Sequence, residues 1–417
     1  MKKKAVLVEI VDPGKKEIKD QYFEEFRLLV ETLSLEIVAE TAQTLKNINY
    51  AYYIGKGKVE ELRGIVKLVE ADYVFIDSQL TYLQLRNLSK EIGVPCFDRP
   101  HLILMIFAMR AKTGEGKLQV ELSELRMRLP EIVHADINLD QQTASLIGLK
   151  GPGERKTELK RRYIEKRINV LENKLESIKK QREGRRKKRV KSNIPIVAIT
   201  GYTNSGKSTL MNKLTDAGAY VEDMLFATLD TLVREGDIGG DYRVLFADTI
   251  GFIRDLPHFL IYAFHSTLEE IIDAWIILIL VDVSDSNFPE KLDTVQKTIE
   301  ELGGGNIPRL IIYNKIDKIT HEQLNFLKAE YKDAIFISAL KGEGLNELKD
   351  AIRSIIERSF VKVKIFIPLN SINLIPEIFA STRVVSKDDK NNGMLLTIEG
   401  FVENVNKYNK FIVGKHN

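Results

Sequence analysis

The chain has 417 residues, 29% of them charged and 44% apolar, with a formal net charge of +3. This is the make-up of a globular protein of roughly two to four domains, not of a disordered or fibrous one. Its single cysteine, Cys96, excludes an internal disulfide and points to a reducing compartment, and its six scattered histidines lack metal-ligand spacing. The longest apolar run, Ala274 to Val281, is eight residues between Asp273 and Asp282, a buried strand far short of a membrane span.

Residues 1 to 110 alternate strand-like runs, Ala5 to Val11 and Tyr73 to Ile76, with amphipathic helical ones, Lys15 to Leu33 and Val59 to Val69. That alternation predicts an α/β N-terminal domain. Met1-Lys2-Lys3-Lys4 ahead of Ala5 to Val8 does not make a secretory signal, because Glu9 and Asp12 cut the apolar run short. Tyr53-Ile54-Gly55-Lys56-Gly57-Lys58 reads as a turn before a helix, with an anion cradle as the other reading.

Residues 111 to 192 carry two matched apolar seams. Leu118, Leu122, Leu125, Leu129 and Ile132 recur at helical spacing, and so do Ile164, Ile168, Leu171, Leu175 and Ile178. Seams of this kind want a partner helix, which predicts an antiparallel helical hairpin; separate packing of each seam on a globular domain is the alternative. The segment 134 to 157 holds Gly148-Leu149-Lys150-Gly151-Pro152-Gly153-Glu154 and is expected to be the tip loop. The second helix is intensely basic. From Arg155 to Lys191 there are 17 Lys/Arg against 5 Asp/Glu, a local net of +12 that leaves the remainder of the chain at −9. Such an arm is either a solvated helix face or a contact for a polyanion, and the sign bias favours nucleic acid. Arg161, Arg162, Arg185, Arg186, Lys187, Lys188 and Arg189 are the candidate RNA contacts, their side chains expected to be free because the seams are already committed.

Residues 193 to 360 hold the chemistry. The strand-like run Ile194 to Thr200 leads into Gly201-Tyr202-Thr203-Asn204-Ser205-Gly206-Lys207-Ser208, the G-x-x-x-x-G-K-[ST] phosphate-loop pattern. Glycines let the backbone N–H groups curl toward phosphate oxygens, and the following helix adds its positive end. Lys207 then reaches the β- and γ-phosphates and the Ser208 hydroxyl can ligate Mg²⁺. Asp248-Thr249-Ile250-Gly251 closes the strand Tyr242 to Ala247, placing a carboxylate for the Mg²⁺ water shell and a Gly251 N–H for the γ-phosphate. Asn314-Lys315-Ile316-Asp317 follows the strand Leu310 to Tyr313; the Asp317 carboxylate can accept from both N1–H and N2–H of guanine, a donor pair that adenine lacks. Ser338-Ala339-Leu340 follows Ala334 to Ile337 and offers a backbone N–H to the guanine carbonyl. Each tetrapeptide alone is weak, but all of them in order, each at a strand's C-terminal end, specify GTP, with ATP second. Phe252 stands where Ras-like enzymes carry a water-orienting glutamine, so intrinsic hydrolysis is expected to be slow. Asn204 lies where cation-dependent GTPases place an asparagine that helps bind K⁺; stabilisation of the loop by local hydrogen bonds is the alternative.

The helical stretch Gly344 to Arg358 ends this domain, and 361 to 417 read as a small α+β unit. Its expected strands are Val361 to Pro368 and Met394 to Glu399, with a helical run around Ile372 to Phe379. The fold class is thus α/β, a P-loop GTPase domain with a mostly parallel sheet. An α/β domain and a helical hairpin precede it, and the α+β unit follows.

Phe226-Ala227-Thr228-Leu229-Asp230, the run from Asp248 through Phe252 to His258, Gly151-Pro152-Gly153-Glu154 and Ser266-Thr267-Leu268-Glu269-Glu270 together resemble the HflX GTPases. The resemblance implies a cytoplasmic GTPase that binds the large ribosomal subunit and its RNA, with a role in splitting, rescue or assembly of ribosomes. It places Phe226 to Asp230 at the nucleotide and chooses Thr228 over Thr231 as the switch threonine on Mg²⁺. Arg155-Lys156-Thr157-Glu158 departs from the family pattern in being more basic, and the resemblance does not reach the C-terminal unit. A monomer is expected, with at most peripheral membrane association. A regulatory switch acting on a protein or membrane-surface partner is the competing function class, since a P-loop domain serves both.

Overall fold

In the computed structural model the described residues are 2–11, 19–45, 47–143, 152–191, 194–215, 226, 232–239, 243–254, 260, 271–390 and 392–415. They form two compact units. The first takes in the chain up to Glu176 together with Phe226 and Leu260, and the second takes in the rest.

The first unit opens with a four-stranded parallel sheet of β1 (Lys4–Val11), β2 (Glu36–Thr44), β3 (Tyr73–Ile76) and β4 (Cys96–Asp98), in the order β2-β1-β3-β4. The connections are helical: α1 (Lys19–Thr32), α2 (Lys56–Val69) and α3 (Tyr82–Ile92), with α4 (Arg99–Arg110) following the last strand. Central strands β1 and β3 are nearly all apolar because helices cover both faces of a parallel sheet; Val6, Val8, Val74 and Ile76 are fully buried. Arg99, itself buried, pairs with Glu25 and, at 2.8 Å, with Asp77. The ion cluster ties the start of α4 to α1 and to the end of β3.

Two long helices follow, α5 (Gly114–Thr143) and α6 (Pro152–Lys191). Only eight residues separate them, too few to return along a 30-residue helix of about 45 Å, so the two run in opposite directions. Leu122, Ile164, Ile168 and Leu171 form their buried seam, flanked by Leu118, Leu125, Leu129 and Leu175. Arg167 grips Glu121 with two bonds of 2.7 and 3.0 Å, and Arg126 meets Glu172 at 2.7 Å. The expected tip loop of 134–157 is corrected at both ends. Helix α5 continues to Thr143 and α6 starts at Pro152, whose fixed φ suits a first helical turn. Residues 144–151 lie outside the described residues.

The second unit is built on a six-stranded sheet, in the order β10-β9-β8-β5-β7-β6. Its strands are β5 (Ile196–Gly201), β6 (Leu232–Asp237), β7 (Arg243–Asp248), β8 (Ile276–Asp282), β9 (Arg309–Asn314) and β10 (Ile335–Phe336). All pairings are parallel except β6 with β7 at one edge. The described helices on this sheet are α7 (Lys207–Thr215), α8 (Phe288–Glu301), α9 (His321–Glu330) and α10 (Leu345–Ser359). Val197, Ile199, Leu278, Leu280 and Ile312 from the strands meet Leu210 and Ile352 from the helices in one core.

A four-stranded antiparallel sheet completes the chain: β11 (Phe360–Pro368), β12 (Arg383–Lys390), β13 (Gly393–Phe401) and β14 (Ile412–Lys415), in the order β12-β13-β11-β14. Short helices α11 (Ile375–Ser381) and α12 (Val402–Asn406) accompany it, and the Trp275 ring lies 3.4 Å from that of Phe401. Among the described residues no helix is long and apolar enough to cross a membrane.

Candidate nucleotide-binding site

Parallel strands bring their C-terminal ends to one edge, and β5, β7, β9 and β10 deliver the four motif loops there. The phosphate loop leaves β5 at Gly201, whose φ is +148°; a Cβ there would sit 2.3 Å from the Leu280 carbonyl oxygen. Gly206 has φ +95°, and a Cβ would come within 2.4 Å of Asn314 Nδ2. Both positions therefore demand glycine.

Asn314 is the junction. Buried to 2% exposure, its Nδ2 donates to the Ser205 carbonyl at 2.8 Å and its Oδ1 accepts from the Ala339 N–H at 2.9 Å. One side chain thus fixes the phosphate loop against the Ser338-Ala339-Leu340 segment. Asp317 Oδ1 accepts from Ser338 Oγ at 2.6 Å, which aims the carboxylate and leaves its other oxygen free of that bond. Ser338 and Ala339 are buried, whereas the Leu340 side chain is exposed. Lys315 adopts a left-handed φ of +66°, and its ammonium meets Asp282 at 2.6 Å. Asp282 is a residue that the motif reading missed. Its signal was only a carboxylate at the end of an apolar strand, and its other oxygen is held by the Ser284 N–H and hydroxyl at 3.0 and 2.6 Å.

Lys207 is buried, its ammonium donating to the Tyr202 and Gly201 carbonyls at 2.8 and 3.3 Å. Burial pushes its pKa down to about 8, against the pull of the Asp248 carboxylate and reinforced by the Lys315 charge. A polyphosphate would relieve that desolvation further by adding negative charge beside the ammonium. Ser208 Oγ donates to Asp248 Oδ2 at 2.9 Å. A hydroxyl beside a carboxylate is a hard oxygen set that fits Mg²⁺. Among the described residues no cluster of three His, Cys, Asp or Glu side chains exists, so such a cation would lean on phosphate oxygens for its remaining ligands. Ser205 Oγ is buried with no hydrogen-bond partner among the described residues. Thr249 is fully buried, its hydroxyl donating to the Ile199 carbonyl at 2.9 Å, and Ile250 is buried too. Gly251 lies against Thr203 and Lys207.

Phe226 is buried in the first unit, its ring edge-on to Phe107 at 4.8 Å, so packing claims the side chain. Ala227, Thr228, Leu229 and Asp230, like Asp255 to His258 and Ser266 to Glu270, lie outside the described residues. Arg161 and Arg162 are on α6, but the expectation that they are unengaged is corrected: Arg161 pairs with Glu165 at 2.8 Å and Arg162 with Glu158 at 2.5 Å. These follow from i,i+4 spacing on an exposed helix face. Arg185, Arg186, Lys187, Lys188 and Arg189 belong to the same helix.

Four family models match the chain in succession: GTP-binding GTPase N-terminal over 20–108, GTP-binding GTPase Middle Region over 110–189, 50S ribosome-binding GTPase over 196–315, and HflX C-terminal domain over 325–404. Among curated relatives, GTPase HflX of Caldanaerobacter subterraneus is 40% identical over 99% of this chain and 94% of its own length. GTPase HflX of Escherichia coli is 39% identical over 84% and 82%. A solved GTP-binding protein of Sulfolobus solfataricus in complex with GDP is 26% identical, covering 86% of this chain and 99% of its own, with a TM-score of 0.46. The length and identity of the sequence matches carry the family assignment. The C-terminal unit, which sequence resemblance did not reach, falls largely within the fourth match.

Replacing the junction tests the site. Asn314→Ala leaves the Ser205 carbonyl and Ala339 N–H buried without their partner, which costs about 2–4 kcal/mol. Denaturant unfolding should show that loss, and GDP titration a fall in affinity of about tenfold or more. Lost stability with unchanged GDP affinity would confine Asn314 to the fold.

Proposed function

The chain belongs to the HflX family of GTPases, and from that premise we propose that it couples GTP hydrolysis to association with the large ribosomal subunit in the cytoplasm. The observation that carries the nucleotide half is the Asn314 bridge, which holds the phosphate loop and the base-reading loops in one frame. For the ribosome half the support is the +12 charge of residues 155–191 of α6, the one strongly basic arm on an otherwise acidic chain. The model matched over 196–315 is described as a 50S ribosome-binding GTPase, which agrees with that reading.

In this reading Asp317 selects guanine, the Ala339 N–H meets its carbonyl, and the N–H groups from Asn204 to Ser208 cradle the phosphates. Lys207 and the Gly251 N–H stabilise charge developing on the γ-phosphoryl group during in-line attack by water. Ser208 and Thr228 would hold Mg²⁺ directly and Asp248 through water; when bound, it would offset charge on the β- and γ-oxygens. Phe252 is buried and carries no group that could orient the attacking water, so the free enzyme is slow and its partner completes the site. Residues 1–110, 111–192, 193–360 and 361–417 act as the N-terminal, hairpin, catalytic and C-terminal domains. The pairs at Arg161 and Arg162 do not oppose RNA binding, because exposed ion pairs are worth about 0–1 kcal/mol and exchange readily for phosphate.

Neutralising Arg185 to Arg189 with a helix-compatible sequence should weaken co-sedimentation with large subunits and flatten its dependence on salt, with GDP affinity unchanged. Turnover measured against subunit concentration at two salt levels should show a higher half-saturating concentration for the variant. Equal values at both salts would remove α6 from the RNA contact and favour a protein or membrane-surface partner.

The second expectation concerns a monovalent cation. Asn204 is exposed at a left-handed φ of +60°, and its carboxamide makes no hydrogen bond among the described residues. That leaves its oxygen available to a K⁺ ion beside the phosphates. Hydrolysis should run several-fold faster in K⁺ than in Na⁺ at equal ionic strength, and Asn204→Ala should erase the difference. Identical parent rates in both salts would sink the idea.

A further inference from the structure

The phosphate-loop pattern places no requirement on its second residue, yet here that residue is a buried tyrosine with defined work. Tyr202 Oη accepts the Arg254 backbone N–H at 2.7 Å. The Lys291 ammonium lies 4.8 Å from the ring centroid and is itself held by Asp285. Asp285 also accepts the Asn287 N–H at 2.9 Å, so the cation that faces the ring is anchored to the start of α8.

Two backbone bonds run alongside. The Phe252 N–H donates to the Gly201 carbonyl at 3.0 Å, and the Thr203 N–H donates to the Phe252 carbonyl at 2.8 Å. Strand β5 therefore continues for one more parallel pair, Tyr202 with Phe252. The consequence falls on Gly251. A Cβ built there would lie 2.8 Å from Lys207 Nζ and 3.0 Å from Thr203 Cα, so on that side less than a methyl group fits. A γ-phosphate that accepts from both Lys207 and the Gly251 N–H has to enter between them. The α- and β-phosphates would be cradled by the loop's own N–H groups and the first turn of α7, and ask nothing of Gly251.

We propose that Tyr202 is a positioning residue that clamps the Gly251–Arg254 segment onto the phosphate loop and so biases the site toward GDP over GTP. Entry of the γ-phosphate costs the Phe252 bonds and the Tyr202–Arg254 bond together. This rests on the nucleotide reading above. The Phe252 side chain has no role in the clamp, since both of its bonds are backbone.

Tyr202→Phe removes one oxygen and keeps the ring under Lys291. Affinities for GDP and for a non-hydrolysable GTP analogue should be measured by titration at fixed Mg²⁺. The clamp predicts GDP affinity within about twofold of the parent and analogue affinity raised about five- to tenfold, the equivalent of one net hydrogen bond. An unchanged ratio of the two affinities overturns the clamp. So does a parallel fall in both, which would mark Tyr202 as support for the loop alone. The parent protein gives a test that no variant's folding can confuse. Amide hydrogen exchange at Arg254 should be slow with GDP and faster with the GTP analogue, and equal protection in both overturns the proposal. Failure of the parent to bind GDP at all would instead contradict the nucleotide reading on which the clamp depends.

Discussion

One buried carboxamide organises the catalytic unit. Asn314 stands at the end of a central strand and binds the Ser205 carbonyl on one side and the Ala339 N–H on the other. With 2% exposure these bonds work in a low dielectric, where satisfied polar groups fix geometry and unsatisfied ones are costly. Much of the surrounding sequence follows from it. Gly206 has no side chain because Asn314 Nδ2 occupies the space, and Gly201 has none because β8 passes at its back. Ser338 is drawn in to aim Asp317, and the adjacent β10 need be only two residues long because its task is to deliver that loop.

Charge is handled differently in the two units. In the second, Lys207 is carried into the interior with its pKa lowered to about 8, a cost that the Asp248 carboxylate offsets only in part. Lys315 next to it is neutralised within the protein by Asp282. On the hairpin the arrangement is reversed. Leucines and isoleucines are spent on the seam between α5 and α6, and arginines pair along the surface with glutamates one turn away. The buried lysine is thus specific and strong, while the exposed pairs are weak and exchangeable. That division suits one tight small ligand and one large, salt-sensitive partner.

The motifs were legible because phosphate and guanine chemistry dictates residue types at fixed spacing, and the strands that carry them are apolar throughout. Strand β3 lies on the residues that periodicity indicated, and β9 and β11 differ by a residue or two. The edges were not legible. Strand β2 has no buried residue, β6 reads LVREGD, and β12 runs through Ser386 to Lys390 almost wholly exposed, so none shows a hydrophobic period. The breakers around Pro152 suggested a longer loop than exists, since proline is at home in a first helical turn. Cross-links between distant residues were also hidden. Nothing in the chain announces that Asp282 will meet Lys315, that the Tyr202 hydroxyl will hold Arg254, or that the Phe226 ring will pack on Phe107.

The central claim is that the frame held by Asn314 presents Asp317 to read guanine. Calorimetric titration of Asp317→Asn with GTP and XTP tests it most directly. An amide in place of the carboxylate should cost GTP about 1–3 kcal/mol of binding free energy, from lost charge-assisted hydrogen bonds, and should improve XTP. Unchanged GTP affinity in that variant would contradict the account.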